Sequence, residues 1–164
     1  MFRTFARAAF AAFVLLSTPS AFAHEGHDLG PTIAIGTLEL RAGFTRATLP
    51  NAPVGGGFLT ITNNGSTDDR LVTVSSPAAE TVQMHEMKLE GDIMKMRALP
   101  EGILIPAGQT VTLKPGGLHI MLMGLKQAFV EGETITVTLT FEHAGSIDFE
   151  LPVLGAAADS SAHH

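Results

Sequence analysis

Apolar and polar residues alternate along short segments of this chain, and clusters of Gly, Pro, Asn and Asp separate the segments. A period of two is the repeat of a β-strand that buries one face. Residues 58–62 and 136–141 show it clearly. About nine such segments, with turn formers roughly every 8 to 12 residues and no amphipathic helix, predict an all-β, single-domain Greek-key sandwich or barrel.

Three stretches decide where the first strands begin and end. Residues 32–40 are interpreted as one strand, and residues 41–43 as a break before the next strand. A run rich in proline, followed by glycines at 55–57, is interpreted as a second break.

The first 23 residues have the composition of a secretory signal. Arg3 and Arg7 precede an apolar run, acidic residues are absent, and residues 21–23 form a small-residue cleavage site. The run is shorter than the ~20 residues that span a bilayer, so a cleaved signal is favoured over a membrane anchor. The protein is therefore expected in the periplasm and not embedded in a membrane. The predicted organisation is a signal peptide, a His-containing N-terminal segment, one β domain and a flexible His-ended tail, at residues 1–23, 24–31, 32–153 and 154–164.

Charge and composition exclude several classes of function. The net charge is −6 at pH 7 and becomes more negative without the two signal arginines, which argues against a nucleic-acid partner. The absence of Cys excludes disulfides, thiolate metal sites and Cys nucleophiles. Gly-x-Ser-x-Gly elbows and phosphate-binding glycine loops are also missing, so the chain is predicted not to be an enzyme.

Methionine is concentrated in one part of the chain. Six of the seven Met lie between Met84 and Met123, together with His85 and His119. Core methionines normally fill gaps at scattered positions, so packing alone does not explain this cluster. Thioether and imidazole groups together favour a soft metal ion, and Cu(I) above others.

Two predicted strands of this stretch form a hairpin. A tight turn is predicted with Glu90 and Gly91 at its centre, because glycine readily adopts a positive φ. In this register His85 faces Met96 and Met87 faces Met94. Facing Cβ atoms lie ~4.5 to 5.5 Å apart, close enough for imidazole and thioether to share one metal ion.

A third predicted strand of this stretch supplies the other donors. Alternation places His119, Met121 and Met123 on one face, and the apolar residues between them on the core side. The two arms together offer four neutral ligands, with Met123 in reserve: His85, Met96, His119 and Met121. Cu(I) accepts such ligands, whereas Zn(II) prefers His with carboxylate or thiolate.

This spacing resembles the signature of a known family. His85, ten residues, Met96, twenty-two residues and then His119-x-Met121 is similar to the pattern of the PCuAC proteins. These are periplasmic copper chaperones that assist copper delivery to the CuA centre of cytochrome c oxidase. The flanking segments MHEM, MKMR, IPAG, LKPGGLHIMLMGL and NNGSTDDRLV are similar too, and the likeness covers residues 32–153.

The resemblance implies a cupredoxin-like β-sandwich that binds a single Cu(I) through those four side chains and transfers it. The implied acceptor is cytochrome c oxidase subunit II or a thiol-bearing assembly factor of thioredoxin fold, and the chaperone is expected to be a monomer. One departure is Phe44, where the family often carries Trp ahead of the arginine of an early strand. We interpret it as a packing variation.

Other interpretations remain open at this stage. If the mature chain begins at His24, its α-amino group, its imidazole and His27 form a candidate secondary Cu(II) site, as do His163 and His164 at the other end. Incidental histidines in mobile termini explain the same residues. For the whole protein, copper sequestration or resistance is one alternative to delivery. A β-sandwich interaction module that binds no metal is another.

Overall fold

The computed structural model describes residues 31–159, and all regular secondary structure in this range is β-strand. The eleven strands are β1 (Ile33–Ile35), β2 (Leu38–Arg46), β3 (Val54–Asn63), β4 (Asp69–Ser75), β5 (Ala79–Glu90), β6 (Ile93–Ala98), β7 (Ile103–Ile105), β8 (Thr110–Leu113), β9 (Leu118–Leu125), β10 (Thr134–Phe141) and β11 (Gly145–Leu154). Within these residues no helix is long and apolar enough to cross a membrane. The predicted signal segment and the four terminal histidines lie outside the described residues: His24, His27, His163 and His164.

The strands form one continuous sheet that closes around a single core. Their order is β6-β5-β9-β3-β2-β11-β10-β4-β7, with β1 added to β2 and β8 added to β3. Among the described strands, only β11 and β2 pair in parallel, at the end of β11. Contacts of β4 with β5 and of β3 with β7 join parts of the sheet that are not neighbours in this order. The prediction of an all-β fold is confirmed.

The alternation of residues in the sequence decides which side chains enter the core. In β10, Val137, Leu139 and Phe141 are at most 2% exposed. The threonines that alternate with them, Thr136, Thr138 and Thr140, donate to, or share hydrogen bonds with, polar side chains of β11 on the outer face. Removing one such Leu or Phe side chain from water contributes about 1.5 to 3 kcal/mol, so the buried face fixes the register of this hairpin.

The first strands differ from the prediction. Residues 36 and 37 form a turn, with a φ of +56° at Gly36, which separates β1 from β2 in the segment predicted to be one strand. The predicted break at residues 41–43 lies inside β2 instead. Ala42 has a φ of +54°, and the pairing with β3 shifts between Arg41 and Phe44. One extra residue in the strand therefore makes a β-bulge without ending the strand.

The glycines at 55–57 also lie inside a strand, β3, and not in the predicted break. A Cβ on Gly55 would lie 2.7 Å from the ring of Phe129, and a Cβ on Gly57 would lie 3.1 Å from a methyl group of Leu151. Glycine within a strand marks a close approach of neighbouring groups. Tight packing against the sheet, and not a turn, explains this composition.

Candidate metal centre

The hairpin of β5 and β6 turns at Gly91 and Asp92, one residue later than predicted. Gly91 has a φ of +64°, whereas the φ of Asp92 is not positive. This is the pattern of a type II′ turn, which takes glycine at its first central position. The predicted turn would have placed Glu90 there, where a Cβ makes a positive φ unfavourable. The position of the glycine therefore sets the register.

Each residue of β5 consequently faces a residue of β6 two positions later than predicted. The facing pairs are His85 with Ala98, Met87 with Met96, and Leu89 with Met94. The predicted pairs of His85 with Met96 and of Met87 with Met94 are therefore wrong. A shift by two residues keeps every side chain on its face of the sheet. Met96 is thus a diagonal neighbour of His85, a relation in which Cα atoms lie ~7 to 8 Å apart.

The other edge of β5 pairs with β9 and brings the two histidines together. His85 faces His119, Gln83 faces Met121, and Thr81 faces Met123. The residues of β9 between the donors, Ile120 and Leu122, are fully buried, as alternation predicts. His119 and Met121 therefore share one face with His85. Met123 extends that face one step farther from the histidines.

Hydrogen bonds orient both imidazoles. The ring centroids of His85 and His119 are 5.8 Å apart, with the ring planes at 65°. His85 Nε2 lies 2.9 Å from the amide oxygen of Gln83, which can only accept, so Nε2 carries the proton. His119 Nδ1 likewise donates to the carbonyl oxygen of Gly117 at 3.0 Å. The lone pairs free for a metal ion are therefore on Nδ1 of His85 and Nε2 of His119.

The free nitrogen of His85 is the clearest sign that this residue can bind a metal ion. His85 and His119 are only 8% and 7% exposed. Nδ1 of His85 is buried and has no hydrogen-bond partner among the described residues. A buried polar atom without a partner costs about 1 to 3 kcal/mol. A bound metal ion would satisfy this atom.

Electrostatics keep this ring neutral. Burial lowers the pKa of His85 below its usual value of 6.5, and a positive charge on His119 lowers that pKa further. Metal ions bind the neutral imidazole, so both effects favour the ligating form near neutral pH. In residues 31–159 no group of three or more His, Cys, Asp or Glu side chains could hold a metal ion. The donors of this centre are imidazole and thioether groups, which suit Cu(I).

A pocket of about 280 Å³ opens beside His119 and Met121. Gly56 faces Met121 across β3 and β9, and a Cβ at Gly56 would lie 2.9 Å from the ring of Phe58. Arg46 lies over that ring at 5.9 Å. Phe44, at the position of the family's frequent Trp, packs against the same ring at 4.9 Å. Glycine at position 56 thus leaves open space next to the donors.

Sequence reasoning missed Gln83 and gave Met87 no role as a ligand. Gln83 holds the proton of His85 in place, and Met87 lines the pocket with His119 and Met121. Both lie two residues from His85 on the same strand and hence on its face. Strand alternation was the signal that could have found them.

The sequence of the chain is similar to those of proteins named as lipoproteins. The sequence model of the LpqE-like lipoprotein family matches residues 38–153. A protein of Leifsonia xyli subsp. xyli that is named as a lipoprotein is 40% identical over 96 residues, which are 58% of this chain. The chain spans 58% of the length of that relative.

Solved structures with the same fold include copper-bound proteins. The copper-bound PCuAC domain from PmoF2 is 25% identical, has a TM-score of 0.65, and aligns over 77% of this chain and 99% of that domain. The solution structure of the Cu(I) form of DR1885 from Deinococcus radiodurans is 26% identical, has a TM-score of 0.58, and aligns over 75% and 80%. The predicted cupredoxin-like fold and the resemblance to PCuAC proteins are confirmed.

Proposed function

The chain belongs to the LpqE-like family, and from this membership and the geometry of its two histidines we propose that it binds one Cu(I) and passes it to another protein. The observation that carries the proposal is the orientation of the imidazoles. Both rings are held by hydrogen bonds on one nitrogen, and their other nitrogens are free, one of them buried without a partner. Fixed, neutral nitrogen donors beside thioethers form a site for a soft monovalent cation.

The ligands that we assign are His85, Met96, His119 and Met121. His85 faces His119 across β5 and β9, and Met121 lies two residues after His119 on β9. Met96 lies on the same face, but it is 51% exposed on the edge strand β6. Three donors therefore come from the paired centre of the sheet and one from its margin. A margin ligand that can leave is useful for a chaperone, because an acceptor can approach the ion from the side that this ligand vacates.

Delivery for assembly of the CuA site of cytochrome c oxidase is the specific role that we propose. Neutral ligands leave the charge of Cu(I) uncompensated, so an acceptor with thiolates would draw the ion away. Cytochrome c oxidase subunit II and thiol-bearing assembly factors of thioredoxin fold have this chemistry. The pocket beside His119 and Met121 is open, so such a partner could reach this side of the site.

Export to the cell envelope is part of the same proposal. The matching family and the relative from Leifsonia xyli are both named as lipoproteins. The 164 residues contain no cysteine, so within them no thiol is available to carry a lipid. A cleaved signal at residues 1–23, followed by release into the periplasm, is compatible with this composition.

Anaerobic titration with Cu(I) against a competing chelator tests the binding step. We expect one tightly bound Cu(I) per chain, and a loss of affinity of at least about 100-fold when His119→Ala and Met96→Ala are combined, because two of four ligands are removed. The control is His143→Ala, which removes an exposed histidine side chain outside the site. Failure of the wild-type protein to bind Cu(I) tightly, or equal affinity in the double variant, would contradict the proposal.

Stoichiometry separates delivery from storage. Sequestration requires more than one copper ion per chain, with the terminal histidines as additional ligands. Replacing His24, His27, His163 and His164 by alanine should leave the Cu(I) stoichiometry at one if the protein is a chaperone. Mixing two equivalents of the loaded protein with a metal-free CuA domain should then transfer two Cu(I) ions, and an added one-electron oxidant converts them into the binuclear CuA centre that absorption detects.

A further inference from the structure

One face of the β5–β6 hairpin is unusual for a surface. Leu89, Met94 and Met96 lie on the face of His85 and are 60%, 49% and 51% exposed. The opposite face carries ion pairs of Arg97 with Glu86 at 2.6 Å and of Lys95 with Glu90 at 2.8 Å. The hairpin is thus adapted to water on one face and presents thioethers and a leucine on the other.

Met87 is the methionine of this hairpin that lines the pocket beside the site. It lines the pocket together with His119 and Met121, whereas Met96 does not. Its backbone N–H donates to the carbonyl oxygen of Gly117 at 3.0 Å. The same oxygen accepts the proton of His119 Nδ1. One carbonyl therefore ties the backbone of Met87 to the ring of a metal ligand.

Met96 is held less firmly. It lies on β6, which pairs only with β5 among the described strands and whose six residues are all exposed. A two-stranded ribbon without a third strand is marginally stable in water, so β6 is the part of the site that moves most easily. Met87 lies directly opposite Met96 and next to Glu86, the last residue of β5 that pairs with β9. Its backbone hydrogen bond to Gly117 does not depend on β6 and holds Met87 in place when β6 moves.

We propose that Met87 is an alternate thioether ligand, which binds the metal ion when Met96 is displaced. This inference rests on the proposed Cu(I) function. In the exchange the bond from the metal to the sulfur of Met96 breaks as a bond to the sulfur of Met87 forms. Both ligands are neutral, so no proton or electron moves and copper stays Cu(I). The exchange keeps His85, His119 and Met121 on the ion while the side of the site at β6 opens to an acceptor.

A double-variant cycle with Leu in place of Met tests the exchange, because Leu keeps the volume and removes the sulfur. We expect M87L/M96L to bind Cu(I) at least about tenfold more weakly than M96L, since Met87 compensates in the single variant. The matched control is M94L/M96L, which removes a thioether on the same face but farther from the histidines, and which should stay within about threefold of M96L. Circular dichroism checks that every variant is folded.

Binding of Ag(I) in place of Cu(I) provides a second test of the exchange. Ag(I) is added to M96L labelled with ¹³C at the methionine methyl groups, and we expect the Met87 resonance to shift together with that of Met121. Equal Cu(I) affinities for M96L and M87L/M96L would overturn the inference. A wild-type protein that fails to bind Cu(I) would instead overturn the proposed function, so the two failures are distinguishable.

Discussion

The apparent affinity for Cu(I) is expected to fall in acid, by up to about 100-fold per pH unit where protons compete with the ion for both imidazoles. Each imidazole must lose its proton to bind, so each contributes up to one factor of ten per unit. The pKa of His85 is lowered by burial and by the charge of His119. Proton competition at His85 therefore begins at a lower pH than for an ordinary histidine.

The slope of this dependence identifies the ligands. Competition titrations between pH 4.5 and 8, with the protonation of the chelator taken into account, measure it. Replacing His119 by methionine keeps a soft donor for which no proton competes, so the steepest fall in affinity should drop from about 100-fold to about tenfold per pH unit. Affinity that does not change with pH would show that the thioethers alone hold the ion.

The stability of the metal-free protein has to be measured over the same pH range as its affinity for Cu(I). Because the pKa of His85 is lower in the folded protein, the unfolded chain takes up the proton first. Proton uptake by His85 in the unfolded chain therefore destabilises the fold as the pH falls through ~6.5. Above that range His85 causes no such loss of stability. Circular dichroism at each pH separates the loss of ligands from the loss of structure.

Strand alternation was sufficient to place all four predicted ligands on one face. His119 and Met121 follow directly from it, because they are two residues apart on one strand. His85 and Met96 also share that face, although their predicted pairing was wrong. A register shift of two residues preserves the face but moves the partner, so the face is far easier to predict than the contact.

Non-local packing explains what the sequence did not reveal. The glycines at 55–57 resemble a break when only their neighbours along the chain are considered. In the fold, Gly56 faces Met121 of β9 and lies against Phe58, so it shapes the pocket. The contribution of Arg46 to the same pocket depends on the pairing of β2 with β3. Such contacts become visible only when the strand order is known.

Replacement of Asn63 by alanine is expected to destabilise the protein by about 3 kcal/mol or more. Asn63 is fully buried at the end of β3. Its Nδ2 donates to the carbonyl oxygens of Thr67 at 2.8 Å and Ile105 at 3.1 Å, and its Oδ1 accepts from the N–H of Gly65 at 3.0 Å. The variant leaves these backbone groups without partners, at ~1 to 3 kcal/mol for each one that water cannot reach. Urea unfolding measures the loss as a lower midpoint with an unchanged slope.

Asn64 provides the matched control, since it has the same side chain one residue later but is exposed. Alanine at position 64 should change the free energy of unfolding by no more than about 0.5 kcal/mol. Aspartate at position 63 tests the cause. It keeps the acceptor for Gly65 but turns a carboxylate towards the carbonyl oxygens of Thr67 and Ile105, so it should destabilise at neutral pH at least as much as alanine does. Protonation restores a donor, so Asn63→Asp should lose less stability in acid than at pH 7 relative to wild type. Equal stabilities of Asn63→Ala and Asn64→Ala would show that these hydrogen bonds do not hold the end of β3 in place.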